Sequence, residues 1–129
     1  MAQQRVPTTP TTNHENRAFW EAADEQQFMI GHCRACNEPH FYPRALCPFC
    51  FSDETELRQA SGEGHIYAVS VMRRAPVPYA LAYVTLAEGP VMMTNIVNCD
   101  FDALAIGQAV EVTFQASEDG TKVPVFQPV

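Results

Sequence analysis

Cys33-Arg34-Ala35-Cys36 is followed, after ten residues, by Cys47-Pro48-Phe49-Cys50. Two C-x-x-C pairs at this spacing place four thiols where they can converge on one ion: each pair forms a tight knuckle, and the segment between them supplies the hairpin that brings the knuckles together. The spacing predicts a four-cysteine zinc ribbon with Cys33, Cys36, Cys47 and Cys50 as metal ligands. A closed four-sulfur site has no open position for a substrate, so the metal would be structural. Iron fits the same four sulfurs, and spacing separates the two metals poorly. Two disulfides would need an oxidising compartment, and the segment from Met1 to Pro7 has no apolar run resembling a secretory signal. A thioredoxin-type redox pair would need a βαβ setting, which two adjacent C-x-x-C pairs do not make. His32 and His40 flank the knuckles and are alternative ligands, made superfluous by four cysteines.

Working outward, residues 1–11 are rich in Pro, Thr and Gln without hydrophobic period and read as a mobile tail. Thr12-Asn13-His14-Glu15 fits a capping box, so an amphipathic helix is expected over 12–27, with Phe19, Trp20 and Ala23 on one face. That face packs either on the chain's own core or on a partner subunit. The ribbon then occupies 28–58, with Phe41, Tyr42, Phe49 and Phe51 forming either a small core over the metal or an interface patch. Asp53, Glu54 and Glu56, followed by Ser61-Gly62-Glu63-Gly64, read as the module boundary.

From 59 to 129 the pattern is strand after strand: His65–Met72, Tyr79–Leu86, Val91–Val97, Ala109–Gln115 and Lys122–Phe126. Such short runs rich in Val, Ile, Tyr and Thr predict an antiparallel barrel. A helical turn capped by Asp100 and ended by Gly107, between the third and fourth strands, makes this the OB-fold arrangement. The fold class is therefore mainly β: an N-terminal helix, a zinc ribbon and a five-stranded OB-fold barrel.

The formal charge of −7, from 8 basic against 15 acidic residues, argues against a polyanion such as nucleic acid. No run is long and apolar enough to span a membrane. The expectation is a protein of a reducing cytoplasm. No G-x-S-x-G, Walker loop, H-E-x-x-H or dinucleotide fingerprint is present. Cys99 ends an apolar strand with no basic neighbour and reads as a small buried hydrophobe more readily than as a nucleophile, and His14 and His65 have no evident acid-base partner. Arg73 and Arg74, on a Pro-stiffened loop ending in Tyr79, are the one adjacent basic pair. They suit a phosphate or a partner's carboxylate, against the plainer reading of a solvated charge pair.

The ordered combination resembles a family of acyl-CoA-associated proteins that pair a rubredoxin-like zinc ribbon with an OB-fold, long catalogued as a domain of unknown function. The resemblance rests on Phe19-Trp20-Glu21-Ala22, on the stretches His32–Cys36 and Tyr42–Cys50, on Ser61–Tyr67, on Pro78–Pro90 and on Ile106–Val112. It implies a non-catalytic partner of thiolase-fold enzymes (β-ketothiolases, acyltransferases or aldolases) in a hetero-oligomer, the catalytic Cys and His belonging to the other subunit. Within that resemblance Arg73, Arg74 and Tyr79 become candidate acyl-CoA contacts. A zinc-ribbon/OB module for single-stranded nucleic acid is the alternative, opposed by the charge. An unaided hydrolase using Cys99 or His65 is the third reading.

Overall fold

A computed structural model describes residues 4–129. Helix α1 spans Arg17–Asp24. Strands β1 (Met29–Cys33), β2 (Pro39–His40) and β3 (Thr55–Gln59) form a three-stranded sheet in the order β2-β1-β3. Strands β4 (Glu63–Met72), β5 (Tyr79–Leu86), β6 (Val91–Ile96), β7 (Ala109–Ala116) and β8 (Lys122–Pro128) close a barrel in the order β4-β5-β6-β8-β7. All barrel pairs are antiparallel except β6 with β8, where Ile96 faces Phe126 in parallel register.

Alternation explains the barrel. Along β5, Ala80, Ala82, Val84 and Leu86 are buried and their neighbours face outward, as a strand with one dry face requires. Gly64 lets β4 approach: a Cβ there would lie 2.7 Å from the Thr85 carbonyl oxygen. Phe126, fully buried, meets Phe28 edge-on with ring centroids 6.0 Å apart. One apolar cluster therefore runs from Phe19 of α1 through Ile30 of β1 into Ile66, Val84 and Ile96 of the barrel. Helix, ribbon and barrel share a core, which decides that the buried face of α1, Phe19 with Ala23, belongs to this chain. Trp20 is tied to the ribbon by its Nε1–H, which donates to the Tyr42 hydroxyl at 2.7 Å.

Three sequence expectations are corrected. The helix begins at Arg17 and ends at Asp24, not over 12–27. The capping box does not form, because the Glu15 carboxylate accepts instead from the Ala45 N–H at 2.8 Å, while the Asn13 side chain accepts from the amides of Glu15 and Asn16. The acidic stretch read as a boundary contains a strand, β3, whose Thr55–Gln59 pairs antiparallel with all of β1. Part of the expected tail, Met1 to Gln3, lies outside the described residues. From Gln4 onward the segment is a strap on the barrel, with Pro7 buried and the Asp119 N–H donating to Thr9 Oγ1 at 3.2 Å. The turn after β6 is a 3-10 helix, Phe101–Ala103, capped as expected by Asp100 Oδ1 accepting from the Asp102 N–H but ending at Ala103, short of Gly107, because Leu104 is already extended.

Candidate metal centre and adjoining groove

The four ribbon cysteines come together. Cys33 Sγ lies 3.6 Å from Cys50 Sγ and Cys36 Sγ 3.7 Å from Cys47 Sγ, and all four sulfurs lie within 4.8 Å of one another. Tetrahedral sulfurs about 2.3 Å from a zinc ion sit about 3.8 Å apart. Donor chemistry and spacing thus fit a structural zinc held by Cys33, Cys36, Cys47 and Cys50. His32 and His40 are not part of that cluster. Both are buried, and neither nitrogen of His40 has a hydrogen-bond partner among the described residues.

The backbone builds each knuckle the same way. The Cys33 N–H donates to the Glu38 carbonyl at 3.0 Å, and the Cys47 N–H to the Ser52 carbonyl at 2.9 Å. The residue after each second cysteine turns left-handed, Asn37 with φ 60 and Phe51 with φ 64. Without metal the thiols differ in acidity. Burial pushes Cys36 up to about 12; at Cys47 burial also opposes ionisation, but the N–H groups of Cys50 and Phe49 outweigh it and bring the thiol to about 7. Amides aimed at sulfur stabilise the thiolate that a metal needs.

The second knuckle is apolar and open: Leu46, Phe49 and Phe51 are 56%, 62% and 75% exposed. A further uncharged surface lies on the barrel. The outward positions of β4, β5 and β6 pair as His65 with Thr85, Ala68 with Tyr83, Ser70 with Leu81, Tyr83 with Met93 and Thr85 with Val91. None of these is Asp, Glu, Lys or Arg, although the outer face of a half-solvated sheet is ordinarily polar.

Beside the barrel a groove of about 860 Å³ is bordered by Arg73, Pro78, Tyr79, Asn95, Cys99 and Phe101, among others. Arg73 and Tyr79 thus reach one concave site, whereas Arg74 is exposed and does not line it. Arg73 is already engaged, its Nη2 2.7 Å from Asp102 Oδ1. The strap contributes residues that sequence reasoning missed: Gln4 and Arg5 line the groove, and the Arg5 guanidinium lies over the Tyr79 ring, 4.1 Å from its centroid. Nothing local in a Pro/Thr/Gln-rich tail signals this, since the partner Asn95 lies 90 residues further along the chain.

Cys99 also borders the groove, but burial and the Asp100 carboxylate push its thiol up, and its Sγ–H donates to the Ile96 carbonyl at 3.8 Å. That disfavours a thiolate nucleophile. His65 lies on the barrel's outer face and His14 is exposed near the helix. No helix among the described residues is long and apolar enough to cross a membrane.

Two family models match in tandem: the rubredoxin-like zinc ribbon domain of ChsH2 over residues 20–56 and the C-terminal OB-fold domain of ChsH2 over residues 57–115. A DUF35 domain-containing scaffold protein of Methanocaldococcus jannaschii is 34% identical over 110 residues, covering 78% of each chain. A probable enoyl-CoA hydratase alpha subunit of Thermomonospora curvata is 32% identical over 124 residues, which are 92% of this chain and 39% of that one, so this chain spans well under half of that relative. Among solved structures, an Ltp2-ChsH2(DUF35) aldolase superposes with a TM-score of 0.85 at 31% identity, over 93% of this chain and 98% of the other. A DUF35 protein of unknown function from Sulfolobus solfataricus shares the fold, with a TM-score of 0.67 at 11% identity over 92% and 87% of the two chains.

Proposed function

The chain belongs to the DUF35 family of proteins that join a rubredoxin-like zinc ribbon to an OB-fold, and on that premise we propose that it is a non-catalytic accessory subunit of a thiolase-fold enzyme acting on acyl-CoA thioesters. It binds and steadies that enzyme in a hetero-oligomer and helps to hold or channel the acyl-CoA. The observation that carries the reading is the exposed apolar knuckle of Leu46, Phe49 and Phe51 on a chain of net charge −7. Aromatic side chains clustered in water on one knuckle of an acidic chain mark a surface that a protein partner covers. The names borne by relatives, a scaffold protein, a hydratase subunit and an aldolase complex, support an assembly concerned with CoA thioesters.

Arg73 and Tyr79, which border the groove, are proposed acyl-CoA contacts, and Arg74 one only for a ligand that extends past it. Thiolate ligation of zinc suits the reducing cytoplasm in which we place the protein. Catalysis by this chain would need a nucleophile beside a base, and the raised thiol of Cys99 is a poor one. Single-stranded nucleic acid fits poorly with an acidic chain.

The test is purification from the source cells through a tag on this chain, with identification of what accompanies it. A thiolase-type subunit is expected in stoichiometric amount, and its turnover of acyl-CoA should fall when this chain is withdrawn. Turnover by this chain alone, abolished by Cys99→Ala, would overturn the proposal.

A further inference from the structure

We propose that Arg5, carried on the N-terminal strap, is the anion-holding side chain of the barrel groove, and that the groove takes the phosphorylated end of a CoA-type ligand. The inference rests on the acyl-CoA reading above and moves its cationic contact from the loop pair to the strap.

Three guanidinium groups lie in or near the groove. Arg73 is matched by Asp102 at 2.7 Å, and Arg74 does not line the site. Arg5 has no carboxylate within ion-pair distance among the described residues. A guanidinium presents five N–H donors in a rigid plane. One is used: Arg5 Nη2 donates to Asn95 Oδ1 at 3.1 Å. The central carbon of the Arg5 guanidinium lies over the Tyr79 ring, 4.1 Å from the centroid, and Asn95 is itself anchored, its Nδ2 donating to the Ala80 carbonyl at 3.1 Å. A planar cation held over an aromatic face and by one hydrogen bond has less freedom left to lose when it meets an oxyanion.

The strap that carries Arg5 is also held. Gln115 Nε2 donates to Gln4 Oε1 at 2.8 Å, Gln4 Nε2 to Asn98 Oδ1 at 2.8 Å, and Asn98 Nδ2 to Gln127 Oε1 at 2.7 Å. This relay of side-chain amides makes the strap a wall of the groove. The volume of about 860 Å³ falls in the range of small-molecule sites. Its remaining wall mixes Pro78, Ile96, Val97 and Phe101 with the amides of Asn95 and Asn98, a surface for a chain that is partly apolar and partly amide. Asp100 and Asp102 line the same groove, so Arg5 and Arg73 only balance them. Selectivity for an anion therefore rests on the local geometry at Arg5 and not on a broad basic field.

The experiment titrates the zinc-loaded full chain with CoA and, separately, with pantetheine, which lacks the phosphates, following the side-chain amides of Asn95 and Asn98 by NMR. Both amides should shift saturably with CoA. Arg5→Gln should weaken CoA about tenfold, the loss of one charge-assisted contact, and change pantetheine less than about twofold. Arg5→Lys, which keeps the charge without the planar fork, should fall between. Arg17→Gln, removing one positive charge on α1, should leave both titrations as in the wild type. Equal weakening of both ligands would make Arg5 a merely structural prop and overturn the proposal, as would an unchanged CoA affinity. Absence of any groove shift in the wild type would overturn the site as well, while co-purification with a thiolase-type subunit would still stand or fall on its own.

Discussion

The two knuckles share a backbone and differ in what they show to water. In both, the amide of the first cysteine is capped by a carbonyl five residues on, and the residue after the second cysteine is left-handed. The metal dictates that much. The first knuckle exposes only polar or small side chains, Arg34, Ala35, Asn37 and Glu38, and is continuous with β1 and β2 and joined to the β3 side by the Arg34 N–H donating to the Glu54 carbonyl at 2.9 Å. Its left-handed residue is Asn37, a type that tolerates the conformation through its short polar side chain. The second knuckle carries Phe51 at the matching position, where the left-handed backbone costs an ordinary L-residue roughly 1–2 kcal/mol. Its ring gains almost nothing in return, being 75% exposed. Matching scaffolding with a strained, uncovered aromatic on one side only is what the proposed partner contact at the second knuckle would account for.

The largest effect expected is loss of the metal, which should treat the knuckles alike. Cys47→Ser and Cys33→Ser each remove one of four ligands, and structural zinc in small peptides is worth about 10–16 kcal/mol. Elemental analysis should find both variants empty and largely insoluble. A metal-free, well-folded Cys47→Ser chain would mean that the shared core from Phe19 to Phe126 holds the ribbon without the ion.

The next largest effect should separate them. Phe49→Ser combined with Phe51→Gly should weaken capture of the proposed partner subunit by at least about 2 kcal/mol, roughly thirtyfold, as removal of central aromatic anchors does. Arg34→Ser combined with Asn37→Gly on the first knuckle should change it by less than about 0.5 kcal/mol. Surface plasmon resonance on metal-loaded proteins measures both, and equal losses would erase the functional distinction between the knuckles.

How much of this was legible in the sequence follows the range of the interactions. The cysteine spacing is local, and so is the alternation that marks Tyr79–Leu86, whose ends the structure reproduces. Asp100 as a cap depends on a neighbour two residues away and was readable. β3 was not, because Glu56 and Arg58 look like a solvated boundary; the strand exists through pairing with β1, more than twenty residues earlier, and none of its residues is fully buried. Thr12 to Glu15 satisfied a local capping rule, yet Glu15 is drawn to an amide 30 residues away. Arg5 reaches Asn95 across 90 residues of chain, a distance at which no periodicity speaks.

A smaller effect, of opposite sign, tests the strain itself. Phe51→Gly should raise the stability of the isolated chain by about 1 kcal/mol, since glycine adopts positive φ without steric penalty. Asn37→Gly should change it by no more than a few tenths of a kcal/mol. Denaturant melts with zinc present distinguish the two. Destabilisation by Phe51→Gly would show that the exposed ring contributes packing after all.

The smallest effect concerns pH and again belongs to one side. His40 of β2 is 3% exposed and pairs across the sheet with Gly31, where any Cβ would run into its ring. Burial first, then the charges of His32 and Arg44, hold the imidazole below its ordinary 6.5. The unfolded chain therefore takes up a proton at a pH where the folded one does not, and stability present above 6.5 is lost as pH falls toward the folded value. Hydrogen exchange at the amides of Gly31 and His40, corrected for intrinsic rate, should report easier opening at pH 6 than at pH 7.5 by a factor of about two or three. His40→Leu should flatten that dependence while leaving the second knuckle's amides, Phe49 and Phe51, unaltered. Parallel pH profiles in wild type and variant would assign the acid sensitivity to the thiolates common to both knuckles and remove His40 from the account.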